Sequence, residues 1–315
     1  MPDRMEADDL TGNSLRFARM HGCGNDFVVI DDRAGKWFGR RAELAQALCD
    51  RRKGLGGDGL ILIGKGEIAS GKMARGKMAR GKAGQGKDAD FTMTYVNGTG
   101  VDGEMCGNGA RCVVRRAHDL RIIGDQTLFS TEAGPISARI DDGIISLGMT
   151  QPSEAELHIT VESDGRAWTV HYIDTGVPHI VIFTDEIDAG RIDDVDVAKY
   201  GPGLRRHPRF PRGANVNFAE KRGTNAYRVR TYERGVEAET LACGTGSVAT
   251  ALIAHLLEKA PSPVTVLPTG GGTLRIDFRP VGNGRFEDVR LAGPAETIAT
   301  GTVDEAWLRE RKLLS

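Results

Sequence analysis

The chain has 315 residues, of which 40% are hydrophobic and 27% charged, and its net charge is −1. This is the composition of an ordinary soluble globular protein, long enough for two domains with a substantial core. The near-neutral balance excludes whole-chain attraction to nucleic acid or to an acidic membrane surface. No apolar run reaches bilayer-spanning length, and the acidic first nine residues lack the apolar centre of a signal peptide. Five cysteines (Cys23, Cys49, Cys106, Cys112, Cys243) without a CxxC pair suggest neither a disulfide framework nor a zinc knuckle. They point to a reducing cytoplasm.

In chain order, residues 1–13 read as a disordered lead-in. Leu15–Met20 alternates as a strand, His21–Asp26 reads as a turn, and Phe27–Ile30 as a second, β-branched strand. Ala42–Cys49 has helical spacing, with Leu44, Ala45 and Leu48 on one face. A glycine-rich loop carrying Asp58 leads into an apolar strand at Leu60–Ile63. Asn25 and Asp58 are therefore expected on loops that flank buried strands. Residues 64–90 break the pattern, because Gly71-Lys-Met-Ala-Arg recurs at Gly76 and its phase continues at Gly81. Such a repeat has no face to pack, so a flexible insertion at a hairpin tip is expected. The six Lys or Arg residues of 71–87 lack the interleaved aromatics of a nucleic-acid site.

Phe91–Val96 reads as a strand, followed by a turn from Asn97 and then by Glu104-Met-Cys-Gly-Asn-Gly-Ala-Arg-Cys112 running into a helical pattern. Residues 127–134 and 136–140 suggest a hairpin, Ile144–Met149 a further strand, and Gln151-Pro-Ser153 a domain boundary. The second half resumes with a strand at Ala167–Ile173, a turn ending at His179, and a strand at Ile180–Phe183. Polar sequence with no expected element spans Asp185–Arg212. Gly213-Ala-Asn-Val-Asn-Phe218 and the alternating Tyr227–Tyr232 then precede Glu233-Arg-Gly235 and a second cysteine motif, Glu239-Thr-Leu-Ala-Cys-Gly-Thr-Gly-Ser247. A helix follows, then short strands near Val264–Leu267, Thr273–Phe278, Val289–Leu291 and Thr297–Val303.

Both halves thus run in the same order to a Glu, a Cys-Gly-x-Gly and a helix, as a degenerate duplication would. Two similar domains facing each other across a cleft are expected. A cysteine at a helix N-terminus feels the partial positive charge of free backbone N–H groups, which favours its thiolate. The same N–H groups, uncovered by glycine, suit a carboxylate. One thiolate and one thiol on opposite faces of a carbon invert it by removing a proton and returning one. Backbone N–H groups on the α-carboxylate would stabilise the developing charge. No lysine has the setting of a pyridoxal phosphate aldimine, and no metal-ligand cluster is visible. The residues therefore point to a cofactor-free racemase or epimerase.

The motifs Met20–Phe27, Gly56–Ile61, Glu104–Cys112, Gly213–Phe218 and Tyr232–Gly235 with Glu239–Gly246 resemble those of the diaminopimelate epimerase family, in order and over nearly the whole chain. The resemblance implies an α/β (α+β) fold of two pseudo-symmetric domains. Each would be a mostly antiparallel sheet wrapped around a central helix, with the active site in the cleft between them. Residues 1–150 would form the first domain and 151–297 the second, with 298–315 returning to the first. It also implies interconversion of LL- and meso-diaminopimelate without cofactor or metal. Cys106 and Cys243 would be the two bases. Gly107, Asn108, Gly244 and Thr245 would hold the α-carboxylate, and Asn25, Asn97, Asn215, Glu233 and Arg234 would complete the substrate site. Arg234 would meet the distal carboxylate, while His179 and Glu233 would support proton handling. Expected partners are a small-molecule substrate, no nucleic acid, no membrane, and at most a second copy as a homodimer.

Three positions depart from the family pattern. Many members have Gly-Asn-Pro-His where this chain has Gly176-Val-Pro-His179, the usual Asn-x-Asp-Gly is Asn97-Gly-Thr-Gly100, and Gly59 stands where some members carry Gln. These bear on distal-end specificity and leave both thiols in place. Cys23, Cys49 and Cys112 read as small buried residues. His21, His118, His158, His171, His207 and His255 read as structural or surface residues, and His179 also fits a core position. Competing readings are a two-cysteine racemase of histidine or a proline derivative, a dithiol redox protein and a basic binding module. The first keeps both thiols without needing Arg234, the second lacks a CxxC, and the third needs neither cysteine.

Overall fold

A computed structural model describes residues 14–66, 89–103, 105–187 and 190–314. The expected lead-in at 1–13 and the repeat at 71–87 lie outside the described residues. The expected insertion is also shorter at its edges, because Gly64 and Lys65 still belong to a strand and Ala89 is buried.

The first half contains β1 (Leu15–Gly22), β2 (Asn25–Asp31), α1 (Arg41–Leu48), β3 (Gly59–Lys65), β4 (Phe91–Asn97), β5 (Asp102–Gly103), α2 (Gly107–Asp119), β6 (Gln126–Thr131), β7 (Gly134–Asp141) and β8 (Ile144–Gly148). The second contains β9 (Glu156–Ser163), β10 (Arg166–Asp174), β11 (Pro178–Phe183), α3 (Val197–Arg205), β12 (Asn215–Lys221), β13 (Ala226–Glu233), β14 (Ala238–Thr240), α4 (Gly244–Glu258), β15 (Val264–Pro268), β16 (Leu274–Pro280) and β17 (Phe286–Gly293). The chain ends in β18 (Glu296–Val303) and α5 (Glu305–Glu310).

Strand senses expose the duplication that sequence offsets blurred. Along β1-β2-β3-β4-β6-β7-β8, successive pairs are antiparallel, parallel, antiparallel, parallel, antiparallel and antiparallel. Along β10-β11-β12-β13-β15-β16-β17 the senses recur in the same order. α1 and α3 fill the first parallel crossover of each half, and α2 and α4 the second, as parallel pairing requires. β8 pairs with β17, so the two halves share one continuous sheet, and β18 pairs with β1.

The central strands β2, β3, β11 and β12 are covered on both faces, which is why they read as unbroken apolar runs. In β2, Phe27 and Val29 pack on α2 with Ala110, Val113 and Ala117. Val28 and Ile30 turn to the other face, against Leu44 and Leu48 of α1 and Leu308, Leu313 and Leu314 of the tail. In the second half α4 buries Val248, Leu252 and Ile253 against Val181, Val266 and Ile276, while Ile180, Ile182 and Val216 meet Val197 and Leu204 of α3. Each such side chain, fully buried, contributes roughly 1.5–3 kcal/mol. Among the described residues no helix is long and apolar enough to cross a membrane.

Several expectations need correction. The turn at His21–Asp26 narrows to Cys23-Gly24, with φ of +53° and +94°, so Asn25 opens a strand instead of sitting in a loop. Strand β9 was not expected, because it is mostly polar and only Val161 and Ser163 are buried along it. The polar stretch Asp185–Arg212 contains α3 despite Gly201, Pro202 and Gly203. Asp196 accepts from the Lys199 N–H to cap that helix, and Gly201 lies so close to Tyr232 that a Cβ would fall 2.4 Å from its ring. Tertiary packing here overrides weak helix propensity. Helix α5 also exceeds expectation, and its cap is Asp304.

Candidate active site

The two cysteine motifs meet at the seam between the halves. Cys106 is the N-cap of α2 and Cys243 the N-cap of α4, both in extended backbone. The helix starts touch: a Cβ added to Gly107 would lie 4.0 Å from the Gly244 Cα, and one added to Gly244 would lie 3.9 Å from the Gly107 Cα. Leu291, on the seam strand β17, wedges between them, 2.9 Å from such a Cβ on Gly244. A Cβ at Gly107 would meet only ordinary contacts, whereas one at Gly244 would require the Leu291 side chain to move.

Burial decides the charge state of the thiols. Burial pushes both upward, Cys243 to about 12, and the negative charge of Glu233 adds to this at each. Opposing it are the Gly109 and Asn108 N–H groups at Cys106, and Thr245 with the Gly246 N–H at Cys243. The Gly246 N–H donates to the Cys243 Sγ at 3.4 Å. The lowered thiol pKa expected from the helix starts is therefore reversed. A helix N-terminus supplies about 0.3–1 kcal/mol, less than one pKa unit, whereas full burial shifts a group by up to roughly 3–5 units.

Asn108 and Asn25 are locked to each other. Asn108 Nδ2 donates to Asn25 Oδ1 and to the Ala242 carbonyl at 3.0 Å, which ties the first half to the residue before Cys243. Asn25 Nδ2 donates to Asp58 at 3.1 Å, and Arg51 binds the other Asp58 oxygen at 2.8 Å. Arg111, fully buried, donates to Asn108 Oδ1 at 2.8 Å and to the Pro294 carbonyl at 3.2 Å. What Asn108 offers a ligand is thus its backbone N–H.

Around Glu233 lies the second cluster. Glu233 ends β13, accepts from Thr240 Oγ1 at 2.8 Å, and is held above the usual carboxylate range by burial. The Arg234 N–H donates to Asn215 Oδ1 at 2.7 Å, and the Arg234 guanidinium donates to the Arg212 carbonyl at 3.1 Å. Thr245 is anchored by Thr175, whose hydroxyl donates to its carbonyl at 3.1 Å. Asn97 lies at the end of β4, where its Oδ1 accepts from Thr99 and Val101. His179 opens β11 beside Asn215 and has no exposed surface.

Sequence reasoning missed Asn217, which binds His179, and Tyr95. The Tyr95 ring fills the space over Gly59: a Cβ there would fall 2.6 Å from the ring, and one on Gly103 2.4 Å. Asn217 was detectable, since residues two apart on a strand share a face with Asn215. Folding also gathers His158, His171 and Glu186, a cluster that no sequence spacing revealed. His171 accepts from the His158 N–H on Nδ1, so its Nε2–H donates to Glu186 at 2.9 Å. Two surface hollows of about 410 and 400 Å³, one lined by Arg228, Arg230 and Glu239 and the other by residues 205–213, contain neither thiol.

Against known proteins, a profile of diaminopimelate epimerase matches residues 17–153 and 171–296. The chain is 38% identical over 292 residues to diaminopimelate epimerase of Chlorobaculum tepidum, covering 90% of this chain and 99% of that one. The match to diaminopimelate epimerase of Methanocella arvoryzae is 37% over 305 residues, covering 92% and 97%. The chain belongs to the diaminopimelate epimerase family. Among solved structures, a hydroxyproline epimerase from Agrobacterium vitis superposes with a TM-score of 0.62 at 17% identity, covering 93% of each chain. A probable proline racemase from Agrobacterium radiobacter gives 0.61 at 16%, covering 92% and 93%. At such identities the likeness is one of fold, and it fits the paired strand order of the two halves.

Proposed function

We propose that this chain is a cofactor-independent, two-base epimerase that interconverts LL- and meso-diaminopimelate. The observation that carries the reading is the abutting pair of cysteine-capped helix starts at Gly107 and Gly244. Two thiols fixed at facing helix ends address opposite faces of one carbon, as inversion requires. Domains 1–150 and 151–297, with the tail 298–315 on the first, form the two walls.

In this reading one cysteine acts as thiolate and removes the α-proton, and the other, as thiol, returns a proton to the opposite face. The roles exchange in the reverse direction. The free N–H groups of Gly107, Asn108, Gly244 and Thr245 receive the α-carboxylate and stabilise its developing enolate charge. Binding an ammonium near Glu233 offsets the negative charge that opposes thiolate formation, so substrate itself activates the base. Asn25, Asn97, Asn215 and Arg234 hold the distal end, with Arg234 matched to a carboxylate. The chain works in the cytoplasm, where its thiols stay reduced, as a monomer or homodimer.

The test is exchange in D₂O with reduced enzyme, following α-proton loss and stereochemistry of LL-diaminopimelate, with histidine and hydroxyproline alongside. Deuterium entering diaminopimelate together with conversion to the meso form is the expected result. Exchange into another amino acid alone would move the substrate assignment, and no exchange into anything would overturn the epimerase reading.

A further inference from the structure

The turn between β13 and β14 carries Glu233 and Arg234, and its shape is set by Glu237. The N–H, carbonyl and carboxylate of Glu237 are all bonded within this turn or to the end of α3. Its N–H donates to the Glu233 carbonyl at 2.8 Å, and its own carbonyl accepts from the hydroxyl of buried Tyr232 at 2.8 Å. Its carboxylate accepts from the Gly235 N–H at 3.1 Å, from Arg205 Nε at 2.8 Å and from Arg206 Nη2 at 2.6 Å. The Gly235 N–H and the two arginines hold that carboxyl below the usual carboxylate range, so it is charged near neutral pH.

Arg234 is thereby bracketed. Ahead of it, its N–H donates to Asn215 Oδ1 at 2.7 Å, and the carbonyl of the same peptide accepts from the Glu237 N–H. Behind it, the next N–H, that of Gly235, donates to the Glu237 carboxylate. Both peptides flanking Arg234 are therefore fixed, and two of these three bonds come from Glu237. Glu237 itself has φ of +58°, a left-handed conformation that glycine would adopt freely. Strain at a non-glycine residue persists only where its surroundings enforce it, and it concentrates at working sites. The first half repeats the device. There Arg41 of α1 grips both carboxylate oxygens of Asp102 in β5, at 2.8 and 2.6 Å, across the turn that follows Asn97. α1 and α3 occupy equivalent crossovers, so each half braces the turn before its cysteine with an arginine from the equivalent helix.

We propose that Glu237 is a positioning residue for substrate binding: braced by Arg205 and Arg206, it fixes the Arg234 backbone and so aims the guanidinium at the distal carboxylate. The inference rests on the epimerase reading for the identity of that carboxylate. A flexible arginine side chain forms a bidentate pair at little entropic cost only when its root is fixed, and misplacement weakens the pair steeply. Glu237 acts through Arg234 and not on the α-carbon, so its loss weakens binding and spares proton transfer.

The test compares the full chain with Glu237→Gly, which relieves the left-handed strain and removes the carboxylate. KM for diaminopimelate should rise about tenfold while kcat changes by less than about twofold. The melting temperature should stay within about 3 °C of wild type, because relieved strain offsets the lost hydrogen bonds. Unchanged KM, or a fall of kcat together with melting temperature, overturns the positioning role. Amide hydrogen exchange without substrate separates this proposal from the epimerase reading. The Arg234 N–H, whose partner Asn215 is untouched, should exchange about tenfold faster in the variant. Unchanged protection there overturns the proposal whether or not the enzyme epimerises. Faster exchange there supports the brace even if wild type leaves diaminopimelate unchanged, a result that removes only the epimerase reading. Should Glu237→Gly not fold, Arg205→Gln removes one brace and leaves the residues of the turn in place. Its KM should rise about threefold, and an unchanged KM overturns the proposal.

Discussion

Cys106 and Cys243 begin equivalent helices in equivalent halves, yet their surroundings differ. Cys106 is half-buried, and the buried cation Arg111 lies one turn along its helix, reaching back to the Gly107 carbonyl. Cys243 is 7% exposed and faces Thr245 and the Gly246 N–H, while Glu233 is the strongest charged influence at both thiols. Duplication copied the backbone and the sulfur but not the charges. Equivalent backbones therefore place the two thiols in unequal local fields.

Removing either sulfur breaks the comparison outright. Cys106→Ala and Cys243→Ala should each lower epimerisation by about 10³-fold or more, since each face loses its only acid-base group. Serine at either position should retain slow α-proton exchange through the intact thiol, measured in D₂O, without matching inversion. Equal loss of exchange and inversion in both serine variants would count against two separate bases.

A smaller effect comes from the shared charge. Glu233 raises both thiols, so Glu233→Gln should lower both pKa values and move the pH profile of iodoacetamide alkylation to lower pH. The sign follows from removing a negative charge that disfavours a second one. Cys106, more accessible and closer to a cation, should react before Cys243 in either form. A profile that stays in place would remove Glu233 from thiol control. Thr240→Val should act in the same direction but by only a few-fold, because loss of its 2.8 Å hydrogen bond lets Glu233 protonate at higher pH and carry less charge.

Much of this site was legible before folding. Glycine next to cysteine, followed by helical spacing, located both helix starts, and the apolar runs located the strands that both faces bury. Less legible was whatever depends on distant partners. Helix α3 was hidden by Gly201, Pro202 and Gly203, which oppose helix locally and are overcome by packing on Tyr232. Asn108 was expected at the α-carboxylate, but that its side-chain amide is spent on Asn25 and the Ala242 carbonyl could not be read locally. Tyr95 gave no signal as the residue that covers Gly59, because the two meet only across paired strands β3 and β4.

By itself the sequence determined where the two cysteine-capped helices begin and which strands are buried on both faces, since turns, caps and side-chain periodicity depend on neighbours a few residues away. Tertiary structure alone decided that the two helix starts meet and that burial outweighs their dipoles at the thiols. These depend on desolvation and on partners far along the chain, such as Asn108 with Ala242, 134 residues apart, and Asn217 with His179, 38 apart. No local pattern encodes such distances, because a charge or a proton is placed by everything packed around it.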